Sequence, residues 1–250
     1  MTAGGAAALL PGLDQTLKDL VPPSLRVALR ARRSWAQGEP ELHLLPRLCS
    51  RSAWSIDVGA NTGVYSWHLA RWSAGVTAFE PQPDHARFLA RAFGRRVAVE
   101  QIALSDAPGE AVLRVPMETW QDGRATIEPR NALAHLRVRE YRVSCRRLDA
   151  YDFPAVGLIK VDVEGHELAV LKGAEGLLAR DRPHLIVEAE DRHRPHAFET
   201  LNDFLAPLGY RPFVCRDGAL RPLASRPAGT GAGLVNFVFL ARSIENLPGA

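Results

Sequence analysis

The sequence predicts an α/β fold built on a mostly parallel sheet of seven strands. The first observation is a series of five short apolar runs, separated mostly by stretches long enough for helices: residues 54–58, 75–80, 97–104, 158–163 and 184–190. Such alternation is typical of parallel strands joined by crossover helices. The second observation is a pair of late apolar runs, which predicts an antiparallel hairpin that closes the sheet.

The segments before and after the parallel strands are also predicted from the sequence. Residues 1–50 carry five prolines around helical pieces such as 24–33, and we expect a helical extension there rather than a separate domain. Residues 51–245 form the single predicted domain. Its two late strands, 210–215 and 234–241, are joined by a stretch rich in proline and glycine.

One segment interrupts the parallel pattern. Residues 109–115 alternate apolar and charged side chains, which predicts a half-exposed strand, and its expected partner is 141–146. Residues 116–140 between them are polar and rich in arginine. Because long connections over a cleft tend to carry function, we interpret them as an insertion and a candidate substrate lid, in which Arg124 could meet an anionic acceptor.

Composition narrows the function classes. The net charge of +3 invites a nucleic-acid partner, but lysine occurs only three times and arginine is scattered through every segment, so we do not expect one. The three cysteines are far apart and lack the spacing of a zinc site or a disulfide framework. No apolar run reaches the ~18 residues of a membrane span, and we expect a cytoplasmic protein.

The first predicted strand runs into a glycine-bearing turn and then a helix that starts near Tyr65. The turn carries Asp57, Gly59, Ala60, Asn61 and Gly63. Open α/β sheets bind ligands at such carboxyl ends of strands. A pyrophosphate would favour two further glycines, at positions 61 and 64, which argues against a nicotinamide oxidoreductase. A cofactor with an amino-acid group needs an acceptor for its ammonium, and Asp57 can supply one.

The next two strands also end in polar groups. Glu80 ends the second strand, where a carboxylate can accept both hydroxyls of a ribose, and Pro81 fixes the turn that presents it. Ser105 and Asp106 follow the third strand, where an adenine amino group would lie. Each side chain alone could be a turn residue or a solvated charge. Three consecutive strand ends with suitable groups favour a nucleoside cofactor.

These residues resemble the class I S-adenosylmethionine-dependent methyltransferases, and specifically the FkbM family. The similarity covers roughly residues 54–241 and rests on 56–63, 79–81, 104–106, 159–167 and the later Pro183 with Glu188. It implies a Rossmann-like domain that binds S-adenosylmethionine and methylates a hydroxyl of a sugar or a secondary metabolite. Where members often carry a short Gly/Ser-rich signature, this chain has residues 122–126, which leaves the acceptor open.

The fourth strand is predicted to bring the catalytic groups. Asp162 ends this strand and would orient the acceptor or the cofactor amine, while Glu164 lies in the turn that follows. His166 is the candidate general base, because an alcohol must lose its proton and histidine titrates near neutral pH. Glu188, at the end of the fifth strand, would hydrogen-bond a polar acceptor. His166 could also merely start a helix.

Some alternatives stay open on the sequence. Asp162, Glu188 and Glu190 could instead collect a divalent cation such as magnesium, since hard cations prefer oxygen ligands. The acceptor could be an amine or a nucleic acid rather than a small molecule with a hydroxyl, although the aromatic-proline motif usual for nucleic-acid methylation is missing. The oligomeric state is not specified, and a homodimer is left open.

Overall fold

The computed structural model describes residues 21–117, 125–128, 136–216, 218–223 and 235–241. The strands in this part of the chain are β1 (Trp54–Val58), β2 (Gly75–Phe79), β3 (Ala98–Glu100), β4 (Ala103–Leu104), β5 (Gly109–Pro116), β6 (Val138–Arg146), β7 (Val156–Val161), β8 (His184–Glu188), β9 (Arg211–Arg216), β10 (Ala219–Pro222) and β11 (Asn236–Leu240). The α-helices are α1 (Pro23–Gln37), α2 (Leu45–Leu48), α3 (Val64–Trp72), α4 (Pro83–Phe93), α5 (Glu167–Lys172), α6 (Glu175–Asp181) and α7 (Ala197–Leu205).

The main sheet has the strand order β3-β2-β1-β7-β8-β11-β9-β10. Its first five strands are parallel, and β11, β9 and β10 run antiparallel to their neighbours. The α/β fold with a mostly parallel sheet and an antiparallel finish is therefore confirmed. The predicted number of seven strands was wrong by one in the described residues, because the chain turns back near Gly218 (φ 71°) and adds β10 beside β9.

The strands on either side of the insertion, β5 and β6, form a second, smaller sheet together with β4, in the order β4-β6-β5. The expected pairing of 109–115 with 141–146 is present, and its register runs from Gly109 opposite Cys145 to Pro116 opposite Val138. The single strand predicted over 97–104 was wrong. It divides after Glu100: β3 pairs with β2 in the main sheet, whereas β4 leaves that sheet to pair with β6.

The helix predicted over 166–180 is also divided, into α5 and α6. The break lies at Gly173, where an added Cβ would come within 2.1 Å of the Ser105 carbonyl oxygen. The helix therefore stops where the end of β4 packs against it, and only a glycine permits this approach.

Two apolar clusters cover opposite faces of the main sheet. Successive residues of β7 belong to different clusters, Leu158 to one and Ile159 to the other, because successive side chains of a strand point to opposite faces and both faces are buried here. The Ile159 cluster includes residues of α5, α6 and α7, and the Leu158 cluster includes residues of α1, α3 and α4. This three-layer packing fixes the carboxyl ends of β1, β2 and β7 at one edge, where the site lies.

The described residues before β1 are helical and pack on the domain. Helix α1 lies on α3 and α4, with Val27 fully buried between them. The ring nitrogen Nε2 of His68 on α3 lies 3.1 Å from the carbonyl oxygen of Ala31 on α1. None of the helices described here is both long enough and apolar enough to cross a membrane.

Candidate active site

The loop between β1 and α3 contains three residues with positive φ: Gly59 (77°), Asn61 (48°) and Gly63 (82°). Gly59 is required twice over, since its φ disfavours other residues and a Cβ there would lie 1.8 Å from the Asp162 carbonyl oxygen. The loop is thereby pressed against the end of β7. Helix α3 begins at Val64, one residue before the predicted start.

Glu80 holds this loop to the end of β2. Its Oε2 accepts a hydrogen bond from the Asn61 backbone N–H at 2.7 Å, and its Oε1 accepts one from the Gln82 N–H at 2.8 Å. Burial raises the pKa of the Glu80 carboxyl above its usual value, although nearby His85 and the two N–H donors oppose this. The Glu80 carboxylate therefore lies against the loop that carries Asn61, and its contact with a ribose stays a prediction.

A cleft of about 590 Å³, counting space open to solvent, lies over these strand ends. Six residues predicted from sequence line it: Gly59, Asn61, Glu80, Pro81, Asp162 and His166. Other residues also line it, among them the polar Gln82, His85 and Thr126, which the sequence did not indicate as site residues.

Several predicted cofactor residues lie elsewhere. Asp57 is fully buried beneath the loop, where its Oδ2 accepts a hydrogen bond from the Ser66 hydroxyl at 2.5 Å. Ala60 is buried and Gly63 precedes α3, and neither lines the cleft. Asp106 is exposed and does not line the cleft either, although Ala103 and Leu104 of β4 do.

Lys160 places a positive charge between two carboxylates. It lies opposite Asp57 in the β1–β7 register, and its Nζ donates to Asp162 Oδ2 at 2.9 Å. Burial opposes ionisation of Asp162, but the Lys160 ammonium and a hydrogen bond with Glu188 outweigh it and lower the pKa of Asp162. Burial raises the pKa of Asp57, an effect that Lys160 partly offsets. The cleft therefore keeps Asp162 negatively charged beside a buried cation.

Glu164 and Glu188 lie beside the cleft in a polar cluster. Glu164, Glu188 and His193 each offer an atom that could ligate a metal, and these atoms lie within 4.8 Å of one another. Burial and then the negative charge of Asp162 raise the pKa of Glu188 well above its usual value. The guanidinium of Arg192 contacts Glu190, and so already supplies positive charge here. The metal set predicted from sequence, with Asp162 and Glu190, stays a prediction.

His166 lies immediately before α5 rather than within its first turn. Its Nε2 lies 2.9 Å from the Ser105 hydroxyl oxygen, and its Nδ1 lies 3.5 Å from Glu128 Oε2. Ser105 was predicted to face an adenine, but its hydroxyl is engaged with this ring. Both imidazole nitrogens thus have polar neighbours inside the domain.

The insertion lines the cleft with residues 125–127, and Arg124 lies outside the described residues. Thr126 is buried, and its hydroxyl donates to the Glu164 carbonyl oxygen at 2.9 Å. Its backbone also pairs with that of Arg114 on β5. Sequence reasoning located the insertion but missed Thr126 and Glu128, since nothing in a polar loop indicates which residue will contact the site.

Comparison with known proteins identifies the family. The methyltransferase FkbM domain matches residues 57–212, which is more than half of the chain. The chain belongs to the FkbM methyltransferase family. The match covers the β1–α3 loop, Glu80, the insertion and the turn that carries His166, so the cleft is that of an FkbM methyltransferase domain.

A solved structure of the same family supports the fold. The methyltransferase FkbM from Methylobacillus flagellatus KT superposes with a TM-score of 0.53 at 18% identity, over 90% of this chain and 57% of its own length. This chain therefore spans little more than half of that protein. An O-methyltransferase from Bacillus cereus in complex with SAH is 14% identical with a TM-score of 0.46, over 90% of this chain and 94% of its own. No curated protein matches this chain.

The FkbM cleft has features that fit S-adenosylmethionine, the cofactor of this family of enzymes. The side-chain oxygen of Asn61 is buried and has no hydrogen-bond partner in the described part of the chain, although Asn61 lines the cleft. Glu80 presents a carboxylate at the same edge. A buried polar atom without a partner costs free energy unless a ligand satisfies it.

Proposed function

We propose that this FkbM domain transfers the methyl group of S-adenosylmethionine to a hydroxyl group of a small molecule, either a sugar or a secondary metabolite. The observation that carries the proposal is the presence of His166 in the same cleft as Glu80 and Asn61. A candidate base thus faces the space that the cofactor residues line. Hydroxyl methylation needs such a base, because the acceptor loses a proton during the transfer.

The cofactor side of the cleft would be held by the loop and the end of β2. We assign the ribose hydroxyls to Glu80, an amine or hydroxyl donor of the cofactor to the Asn61 side-chain oxygen, and close backbone contact to Gly59. Asp162, kept ionised by Lys160, would attract the cofactor ammonium. Asp57 would act beneath the loop through Ser66 rather than by direct contact.

The acceptor side would be formed by His166, the polar cluster and the insertion. When bound, S-adenosylmethionine supplies a methyl group on a positively charged sulfur. The main task of the protein is to align the acceptor oxygen behind that methyl carbon, which can lower the barrier by about 7–11 kcal/mol. Glu164 and Glu188 would hydrogen-bond a polar acceptor, Arg124 an anionic one, and residues 125–127 would cover it as part of a lid.

The cellular compartment of the reaction is inferred from the three cysteines. Cys49, Cys145 and Cys215 are buried and form no disulfide in the described part of the chain. A reducing compartment suits three such thiols. We therefore place the methyl transfer in the cytoplasm.

Cofactor binding is tested by calorimetric titration of S-adenosylmethionine into the wild type and Glu80→Ala. We expect the variant to bind about 10- to 100-fold more weakly, because it loses hydrogen bonds to a charged group. Glu110→Ala, an exposed carboxylate on β5, is the matched control and should bind as the wild type does. Equal affinity in all three proteins would reject the assignment of Glu80.

The base is tested by transfer of a labelled methyl group to a panel of sugars and secondary metabolites that carry hydroxyls. We expect His166→Ala to lower turnover by about 10²- to 10⁴-fold while S-adenosylmethionine affinity is retained. His196→Ala removes an exposed imidazole and is the control. Transfer to amines or nucleic acid alone, or full activity of His166→Ala, would reject hydroxyl methylation by this route.

A further inference from the structure

We propose that Glu128, in the insertion, is a positioning residue for His166. Its carboxylate accepts the proton on Nδ1, keeps Nε2 unprotonated as the basic atom, and stabilises the imidazolium that forms during methyl transfer. The inference rests on the proposed function, because it assumes that His166 receives the acceptor proton. It gives the insertion a role in proton transfer beyond covering the cleft.

The geometry around the ring carries the first step. Glu128 Oε2 lies 3.5 Å from Nδ1, and both side chains are only 17% exposed. This distance is long for a hydrogen bond but lies within ion-pair range, so the attraction grows when the ring gains a charge. Hydrogen bonds of catalytic groups are often long before substrate binds and shorten in the complex. The hydrogen bond made by one ring nitrogen decides which nitrogen carries the proton.

Glu128 is held in this place by its own segment. Its backbone N–H donates to the Thr126 hydroxyl oxygen at 3.0 Å, and its carbonyl oxygen accepts a hydrogen bond from the Arg114 guanidinium. The Thr126 hydroxyl in turn donates to the Glu164 carbonyl oxygen, in the turn that carries His166. A Cβ on Gly165 would lie 3.4 Å from Glu128 Cγ, so the glutamate packs directly over that turn. The carboxylate and the imidazole are therefore fixed to the same part of the backbone.

Ser105 contacts Nε2, the nitrogen on the other side of the His166 ring, which is the atom proposed to receive the acceptor proton. Its hydroxyl oxygen lies 2.9 Å from Nε2 and 3.2 Å from Asp106 Oδ1, and its one proton can serve only one of them. Because Nε2 has a single lone pair, the Ser105 hydroxyl oxygen must rotate away from it, toward Asp106, before the acceptor hydroxyl can reach Nε2. The acceptor O–H bond then breaks toward Nε2, the acceptor oxygen bonds to the methyl carbon, and the electron pair of the carbon–sulfur bond stays on sulfur.

The tautomer is measured by ¹⁵N NMR of the protein with labelled histidines, with the His166 signals assigned by their loss in His166→Ala. We expect the neutral wild-type ring to carry its proton on Nδ1. Glu128→Ala should shift the population toward the proton on Nε2, whereas Ser105→Ala should leave it on Nδ1. A wild-type ring protonated on Nε2, or a shift in Ser105→Ala but not in Glu128→Ala, would overturn the proposal.

Turnover supplies the second readout. Glu128→Ala should lower it by about 10- to 100-fold, and Glu128→Gln, which keeps an acceptor oxygen but not the charge, should recover part of the loss. Glu140→Ala, at an exposed position of β6, is the control, and cofactor affinity should be unchanged in all three. Equal loss in both Glu128 variants, or none in either, contradicts the role in proton transfer. If His166→Ala is fully active while the tautomer still depends on Glu128, the assignment of His166 as the base is rejected. The effect of Glu128 on the His166 ring then still stands.

Discussion

Gly59 is the residue at which backbone geometry most directly limits the site. Its φ of 77° is unfavourable for an L-residue with a side chain, and an added Cβ would lie 1.8 Å from the Asp162 carbonyl oxygen. We expect Gly59→Ala to separate the ends of β1 and β7 and to weaken S-adenosylmethionine binding by at least about 10-fold, since both strand ends line the cleft. Calorimetric titration and thermal unfolding measure the two effects.

Gly94 provides the matched control for this change. Its φ is also positive, at 56°, but an added Cβ would meet no atom within 4 Å. Gly94→Ala therefore carries backbone strain of about 1–3 kcal/mol without the steric clash. If the two alanine variants bind the cofactor equally well, close contact at Gly59 does not shape the site.

The sequence located the polar residues of the cleft better than it predicted their contacts. Glu80 and Asn61 line the cleft as expected, because a residue at or just after a strand end faces the open edge of the sheet. Asp57 precedes the last residue of β1, so it lies within the sheet opposite Lys160 and is covered by Ser66. Those two partners come from α3 and β7, and a local motif cannot predict contacts between distant segments.

At the scale of elements, the turn between β7 and α5 depends on Glu167. Its Oε1 accepts hydrogen bonds from the backbone N–H groups of Gly165 at 2.9 Å and Val163 at 3.2 Å. Burial raises the pKa of Glu167 to about 7, from 4.5. The folded state therefore favours the protonated carboxyl, and this contribution to stability is complete below about pH 4.5 and is lost as the pH rises through 7.

Glu167→Gln should remove this pH dependence while an acceptor oxygen remains in the turn. Between pH 5 and 8 we expect the free energy of unfolding to fall more in the wild type than in the variant, with about 1.4 kcal/mol for each unit of pKa difference as the upper bound. Urea denaturation at several pH values measures the slope. Glu110→Gln, at an exposed position, should keep the wild-type slope. A Glu167→Gln slope as steep as that of the wild type contradicts the burial argument.

The elements that the sequence predicted poorly are those that end through contacts with distant parts of the chain. The run 97–104 is interrupted only by Glu100 and Gln101, and two polar residues do not reveal that β3 and β4 join different sheets. The periodicity of 166–180 similarly continues through the break at Gly173, which is set by the approach of Ser105. By contrast, β1, β2 and β8 are bounded by local turn signals and lie within two residues of their predicted ends.

At the scale of the whole molecule, the N-terminal segment is joined to the first turn of α3 and to β11. Glu39, just after α1, accepts a hydrogen bond from the Tyr65 hydroxyl at 2.6 Å and another from Asn236 on β11 at 3.1 Å. The Tyr65 ring lies 5.0 Å from the Lys160 ammonium. A chain of contacts thus leads from α1 to the charged pair at the cleft, and we propose that α1 unfolds together with the domain.

Val27→Ala tests this cooperativity. Val27 is fully buried in the cluster that includes Leu69 of α3 and Leu89 of α4, so the smaller side chain should lower the free energy of unfolding by about 2 kcal/mol. Leu29→Ala, on the same helix but 42% exposed, should change it by less than about 0.5 kcal/mol. Because a two-state domain loses all its structure in one transition, circular dichroism and tryptophan fluorescence should shift together in Val27→Ala. A domain transition that stays at the wild-type denaturant concentration while helix signal is lost earlier would mean that α1 folds separately.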